Sequence, residues 1–126
     1  MLRVEIERKT PAQALARLIG RLDTQTYRLC EEHLEPLLGP ATKALALDLS
    51  QLDYMSSMGL RDIMNVSKRL ARQGGKCAVL GPQPGVRAVL EIAKALPDQN
   101  IFASVAEADQ YFDAIQKQAK ETSSGG

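Results

Sequence analysis

The stretch Leu45 to Leu60 constrains the fold more than any other part of the chain. Leu45, Leu47 and Leu49 form an apolar run that reads as a buried strand over Ala44–Leu49. Ser50 to Asp53 read as a polar link, and Tyr54 and Met55 lead into Ser56 and Ser57. An apolar pattern of helical period begins at Leu60. Serine suits such a helix start because its oxygen accepts a hydrogen bond from an otherwise unpaired backbone N–H. A buried strand followed within a few residues by a capped helix is half of a strand–helix–strand unit, which brings the next strand back in parallel.

The rest of the chain repeats that unit. Val4 to Lys9 alternates apolar and polar residues, Thr10-Pro11 breaks the run, and Ala14 to Gly20 forms a second strand-like run, so the two read as an antiparallel hairpin. Asp23 or Thr24 is the expected N-cap of a first helix, with Tyr27, Cys30, Leu34, Leu37 and Leu38 on its apolar face; Pro36 should kink or end it. The second helix should run from Ser57 to Arg72, burying Leu60, Ile63, Met64, Leu70 and Ala71, and stop at Gly74-Gly75. Lys76–Leu80 is a short apolar strand. Val86, Val89, Leu90, Ala93 and Leu96 predict a third helix ending before Pro97, Ile101-Phe102 a short strand, and Ala108, Tyr111, Phe112, Ile115 and Ala119 a fourth helix. The expected fold class is therefore α/β: a mixed, mostly parallel sheet with an antiparallel edge hairpin and about four packed helices. Residues 1–120 read as one domain, and 121–126 as a polar tail expected to be disordered.

Composition excludes several classes of function. The 126 residues suffice for one core, and 44% hydrophobic with 25% charged residues is an ordinary globular mix. A net charge of +1 favours neither nucleic acid nor an acidic membrane surface. Arg61, Lys68, Arg69 and Arg72 form a basic helix face, but with no aromatic residue interleaved it reads as a solvated face. No apolar run is long enough to span a bilayer, and the N-terminus is too charged for a signal peptide, so a cytoplasmic protein is expected. Cys30 and Cys77 read as buried thiols, and with His33 the only histidine no metal site is expected. The loop Gly81-Pro-Gln-Pro-Gly85 lacks a phosphate-binding order and reads as a rigid turn. No Gly-x-Ser-x-Gly elbow surrounds Ser57 and no general base stands near it in the pattern, so no catalytic residue, cofactor or enzymatic activity is expected.

Two motifs resemble the signature of the STAS family, the anti-sigma factor antagonists. Asp48-Leu-Ser50, a short spacer and Met55-Ser-Ser-Met-Gly-Leu60 are similar to the family's Asp-hydrophobic-Ser, spacer, Met-Asp-Ser-Ser/Thr-Gly-Leu. Gly20-Arg-Leu-Asp23 resembles its Gly-Glu-Leu-Asp. Ser56 stands where the family usually has Asp, and Met58 where it usually has a small hydroxyl residue. The resemblance implies a STAS fold and places the phosphorylated serine at Ser57, with Ser56 as a rival. It implies a partner-binding surface drawn from Asp23, Asp48, Ser50, Ser56, Ser57, Met58, Gly59 and Arg61. The implied partners are an anti-sigma factor with serine-protein kinase activity, bound by the unmodified form and released on phosphorylation, and a serine phosphatase. The departures at Ser56 and Met58 motivate a second reading, a STAS scaffold or lipid- or small-ligand-binding module without phosphorylation. A third is a sensor holding an anionic ligand at Ser56–Gly59.

Overall fold

The computed structural model describes residues 1–92 and 101–102. In chain order it holds β1 (Leu2–Thr10), β2 (Gln13–Leu22), α1 (Tyr27–Leu34), a 3₁₀ turn (Glu35–Leu37), β3 (Ala44–Met55), α2 (Ser57–Arg72), β4 (Lys76–Leu80), α3 (Pro84–Ile92) and β5 (Ile101–Phe102). The described strands form one sheet in the order β1-β2-β3-β4-β5. β1 pairs antiparallel with β2, and every later neighbour is parallel. The mixed α/β sheet with its antiparallel edge is thus present. The predicted fourth helix, and the end of the third beyond Ile92, lie outside the described residues.

Strand order follows chain order from β2 to β5, so right-handed crossovers put every connecting helix on the same face of the sheet. The main core agrees. Cys30 and Leu34 of α1, Ile63, Val66 and Leu70 of α2, and Val86 and Leu90 of α3 join Ala14, Ala16 and Leu18 of β2, Leu45, Leu47 and Leu49 of β3, and Val79 of β4. The alternate strand positions Leu15, Ala44, Ala46, Ala78 and Leu80 form a smaller buried cluster on the other face.

Three sequence expectations need correction. The first helix is not capped at Asp23 or Thr24. Asp23 opens a turn whose carbonyl accepts from the N–H of Thr26 and Tyr27, and Thr26 is the N-cap. Nor is Ser50–Asp53 a link: β3 runs unbroken to Met55. Two register shifts against β2, between Arg17 and Ile19 and between Gly20 and Arg21, let Leu52 and Met55 both point inward although they are three residues apart. Gly20 takes a φ of 108° there, and a Cβ on it would sit 2.3 Å from the Met1 carbonyl oxygen. Finally, α2 buries Gly59, Asp62, Ile63, Val66 and Leu70. Ile63 and Leu70 were expected, but Leu60 and Met64 are only partly buried and Ala71 is exposed. The remaining expectations for these elements hold. Pro36 ends α1 in a 3₁₀ turn, and α2 has the bounds read from the sequence. Its C-terminus is a Schellman turn, with the Gly75 N–H on the Leu70 carbonyl and Gly74 at a φ of 75°. Cys30 and Cys77 are buried thiols, and burial pushes both up to about 12.

Asp62 is an acid inside the packing of α2, 4% exposed. Its Oδ2 is sealed from solvent and, among the described residues, meets no N–H or hydroxyl donor. Glu31 of α1 faces it, and two carboxylates can bond each other only when one carries a proton. Burial first, and Glu31 second, push the Asp62 carboxyl up to about 7. Between about pH 4, where an ordinary aspartate ionises, and about 7, the unfolded chain gives up a proton that the folded chain keeps. This residue's contribution is complete below that window and is lost as pH rises through it. Asp62→Asn should therefore flatten the decline in stability from pH 5 to pH 8 and stabilise the protein at pH 8 by about 1–3 kcal/mol, read from urea melts at both values.

Candidate functional site

All the motif loops open at the carboxyl ends of parallel strands, the edge at which open α/β sheets carry their sites. β2 ends into Asp23, β3 into Ser56 and Ser57, and β4 into Gly81–Gln83. At the centre is the first turn of α2. The Ser56 N–H donates to the Leu22 carbonyl at 2.9 Å, which ties the helix start to the end of β2. Ser56 is the N-cap, its Oγ accepting from the Gly59 N–H at 3.3 Å and its carbonyl accepting from Leu60 at 2.9 Å. Gly59 is where the helix meets β2: a Cβ there would lie 2.6 Å from Leu22 Cγ and 2.9 Å from the Leu22 carbonyl oxygen. The glycine is thus required by close approach rather than by its φ.

Ser57, the first residue of α2, is exposed, and its hydroxyl makes no hydrogen bond among the described residues. The N–H groups of Ser57 and Met58 belong to the unpaired set at a helix start. Arg61 follows one turn later on the outer surface, and Met58 is half-buried.

Asp23 lies beside this turn. Its Oδ1 accepts from the Gln25 N–H at 3.0 Å, while the Thr26 hydroxyl donates to the Arg21 carbonyl at 2.8 Å and accepts from the Asp23 N–H at 2.9 Å. The Gln25 N–H, assisted by Thr26 and by Arg21 3.7 Å away, holds the Asp23 carboxyl below its ordinary value against the effect of burial. The Arg21 guanidinium also lies over the Tyr54 ring, 4.4 Å from its centroid. Tyr54 is 44% exposed and stands opposite Arg21 in the β2–β3 register. Neither Arg21 nor Tyr54 was read from the sequence as a site residue; the signal available was the lone aromatic in the stretch Leu45 to Leu60.

Asp48 and Ser50 sit deeper. Asp48 is 8% exposed and shares its sheet face with the smaller buried cluster. Its Oδ1 accepts from the Ser50 Oγ at 2.6 Å and the Ser50 N–H at 3.0 Å, and its Oδ2 from Arg17 Nε at 3.2 Å. Arg17 continues to Glu5 at 3.4 Å. Burial works against the Asp48 charge, but the two Ser50 donors and Arg17 outweigh it and hold the carboxyl below its ordinary value. The Gln83 side-chain amide donates to the Ser50 carbonyl at 3.1 Å, joining the Gly81–Gln83 loop to β3. The Gln83 carbonyl then accepts from Arg87 at 2.8 Å, opening α3 with Pro84 in its first position. The structure thus gathers Asp23, Ser56, Ser57, Met58, Gly59 and Arg61 around one helix start, with Asp48 and Ser50 as a brace behind it. His33 is remote from this group, exposed on α1 with Nδ1 2.8 Å from the Leu29 carbonyl.

The family model described as the STAS domain matches residues 3–108. The chain belongs to the STAS domain family. Among its relatives is BtrV of Bordetella bronchiseptica, named as an anti-sigma factor antagonist, 32% identical over 85 residues that make 68% of this chain and 73% of that one. The fold matches that of the anti-sigma factor antagonist SpoIIAA in its unphosphorylated form, with a TM-score of 0.77 at 20% identity, covering 89% of this chain and 97% of that one. SpoIIAA of Bacillus in its phosphorylated form matches at 0.72, 20% identity, 87% and 99%. A segment of SLC26A9 matches at 0.73 and 15% identity, covering 87% of this chain but 21% of that one. Among the described residues no helix is long and apolar enough to cross a membrane.

Two substitutions test the construction of the site. Gly59→Ala should destabilise the fold by about 1–3 kcal/mol by overpacking against Leu22, seen as a lower urea midpoint at unchanged slope. Asp48→Ala should cost about 1–3 kcal/mol at pH 7, where the carboxylate holds Ser50 and Arg17. That cost should shrink as pH falls below about 4, because a depressed carboxyl contributes only above that range.

Proposed function

We propose that this chain is an anti-sigma factor antagonist whose docking face is switched by phosphorylation of Ser57. Unmodified, it binds an anti-sigma factor that is also a serine-protein kinase; phosphorylated, it lets go, and a serine phosphatase resets it. ATP is then the kinase's substrate, and this chain works as a binding module rather than an enzyme. The observation that carries the reading is the exposed Ser57 hydroxyl on the first turn of α2, which makes no hydrogen bond among the described residues. The relatives named as anti-sigma factor antagonists support the role, and the match to SpoIIAA in both phosphorylation states supports a switch that leaves the fold in place.

The geometry favours Ser57 over Ser56 as the acceptor. Ser56 Oγ already bonds the Gly59 N–H, and modifying it would cost the cap, about 0.5–2 kcal/mol. A phosphate on Ser57 adds about −1.5 to −2 charges and gains only about 0.3–1 kcal/mol from the helix dipole, so the domain stays folded. A partner seated over the same turn would have to bury that charge at a cost of several kcal/mol, which is orders of magnitude in affinity. Tyr54, stacked with Arg21, and Met58 offer the partner the aromatic, arginine and methionine surface common in interface centres. Arg61 and Asp23 supply polar contacts around it. Asp48, Ser50 and Gly59 act by holding the turn in place rather than by touching the partner.

The match to a segment of SLC26A9 supports a second reading, a STAS module serving as a scaffold or a small-ligand or lipid site without serine phosphorylation. Incubation with the cognate kinase and ATP, followed by mass spectrometry, separates the two: phosphate on Ser57 is expected, and none on Ser57 or Ser56 would favour the scaffold. Ser57→Asp should weaken anti-sigma factor binding by about 10- to 100-fold while Ser57→Ala retains it, with thermal midpoints within about 3 °C of each other.

A further inference from the structure

We propose that the outer edge of β1 pairs with β1 of a second copy of this chain, antiparallel about a two-fold axis at Glu5, so that two sheets join into one. β1 is the end strand of the sheet, and among the described residues no strand lies beyond it. The ladder with β2 shows which backbone groups face outward. The Met1 carbonyl accepts from the Arg21 N–H at 3.0 Å, and the register runs from Leu2↔Gly20 to Arg8↔Ala14 without a shift. Odd-numbered residues of β1 therefore bond β2, while Leu2, Val4, Ile6 and Arg8 turn their N–H and C=O groups to the open side. Edge strands are commonly blunted by shortness, a proline or a bulge. From Leu2 to Arg8 this one has none of these.

The side chains select the occupant and the register. A two-fold antiparallel ladder on this edge must match even-numbered residues with even-numbered ones. Centred on Ile6, it would set Arg3 against Lys9 and Glu5 against Glu7, like charges at each place. Centred on Val4, it would be shorter, ending at Leu2 and Ile6. Centred on Glu5, it pairs Leu2 with Arg8 and Val4 with Ile6 in both directions, and it sets Arg3 of each copy against Glu7 of the other. The two Glu5 residues meet at the axis. Each already has Arg3 and Arg17 of its own chain beside it, and these hold its carboxyl below the ordinary value. On the helix face, Val4 and Ile6 of both copies form one aliphatic row, which covers an Ile6 that is 41% exposed in the single chain. Because the joined strands run in opposite directions, the two Ser57 turns lie at opposite ends of the joined sheet and both stay open. A strand-edge interface buries little area, so the dimer is a weak one.

Sedimentation of the full chain across a concentration series tests this. A monomer–dimer equilibrium with a dissociation constant on the order of 100 μM is expected. Ile6→Pro removes an N–H that β2 does not use, at an edge position where proline is tolerated, and should weaken the dimer at least about tenfold. Glu7→Arg should weaken it severalfold by facing Arg3 of the second copy, and adding Arg3→Glu should restore it. Amide hydrogen exchange locates the interface: Val4, Ile6 and Arg8 should slow as concentration rises, and Leu49–Met55 should not. The proposal is overturned by a chain that stays monomeric at about 1 mM, by protection that grows elsewhere than at Val4, Ile6 and Arg8, by a dimer that survives Ile6→Pro, or by a double charge swap that does not recover what Glu7→Arg loses.

Discussion

The structure depends on how closely the start of α2 approaches the end of β2. The Leu22 carbonyl accepts from Ser56, and the Leu22 side chain fills the space a Cβ at position 59 would need. These contacts fix the direction in which α2 leaves the sheet. That direction brings Ile63, Val66 and Leu70 down onto β3 and β4 and leaves Ser57 turned outward. A bulkier residue at position 59 would push the helix away from the sheet and alter the core and the site together, because both are anchored by the same turn.

Much of this was legible in the sequence because the signals were local. Two serines before an apolar helical period marked the start of α2, and two glycines marked its end; both limits are as read. What was not legible came from pairing between strands. Ser50 and Asp53 looked like a link because polar residues interrupted the alternation. They belong to a strand because bulges in β3, each one residue longer than the stretch of β2 it faces, restore the inward direction at Leu52 and Met55. Asp62 was passed over as a core position because its residue type is rarely buried, and its neighbour across the helix pair, Glu31, is distant in sequence. Asp48 and Ser50 were read as surface because the motif contains them. Arg17, 31 residues away from Asp48, draws the carboxylate into the sheet.

Two sets of charges are therefore held in opposite ways. Asp48 stays ionised despite burial because it has three donors around it, from Ser50 twice and from Arg17. Asp62 has another acid, Glu31, beside it instead, and holds on to its proton toward neutrality. The same residue type at similar depth thus carries a charge in one place and resists it in the other, and the difference is the count of donors within reach.

The length of β3 has one more consequence. β4 pairs with it only from Ala44 to Asp48, so among the described residues the backbone from Leu49 to Met55 has β2 on one side and no strand on the other. Open backbone of that kind is a template on which stray chains can assemble. Gln83 occupies part of it by giving its amide to Ser50, so a loop that looked like a simple turn also guards the sheet against unwanted self-association.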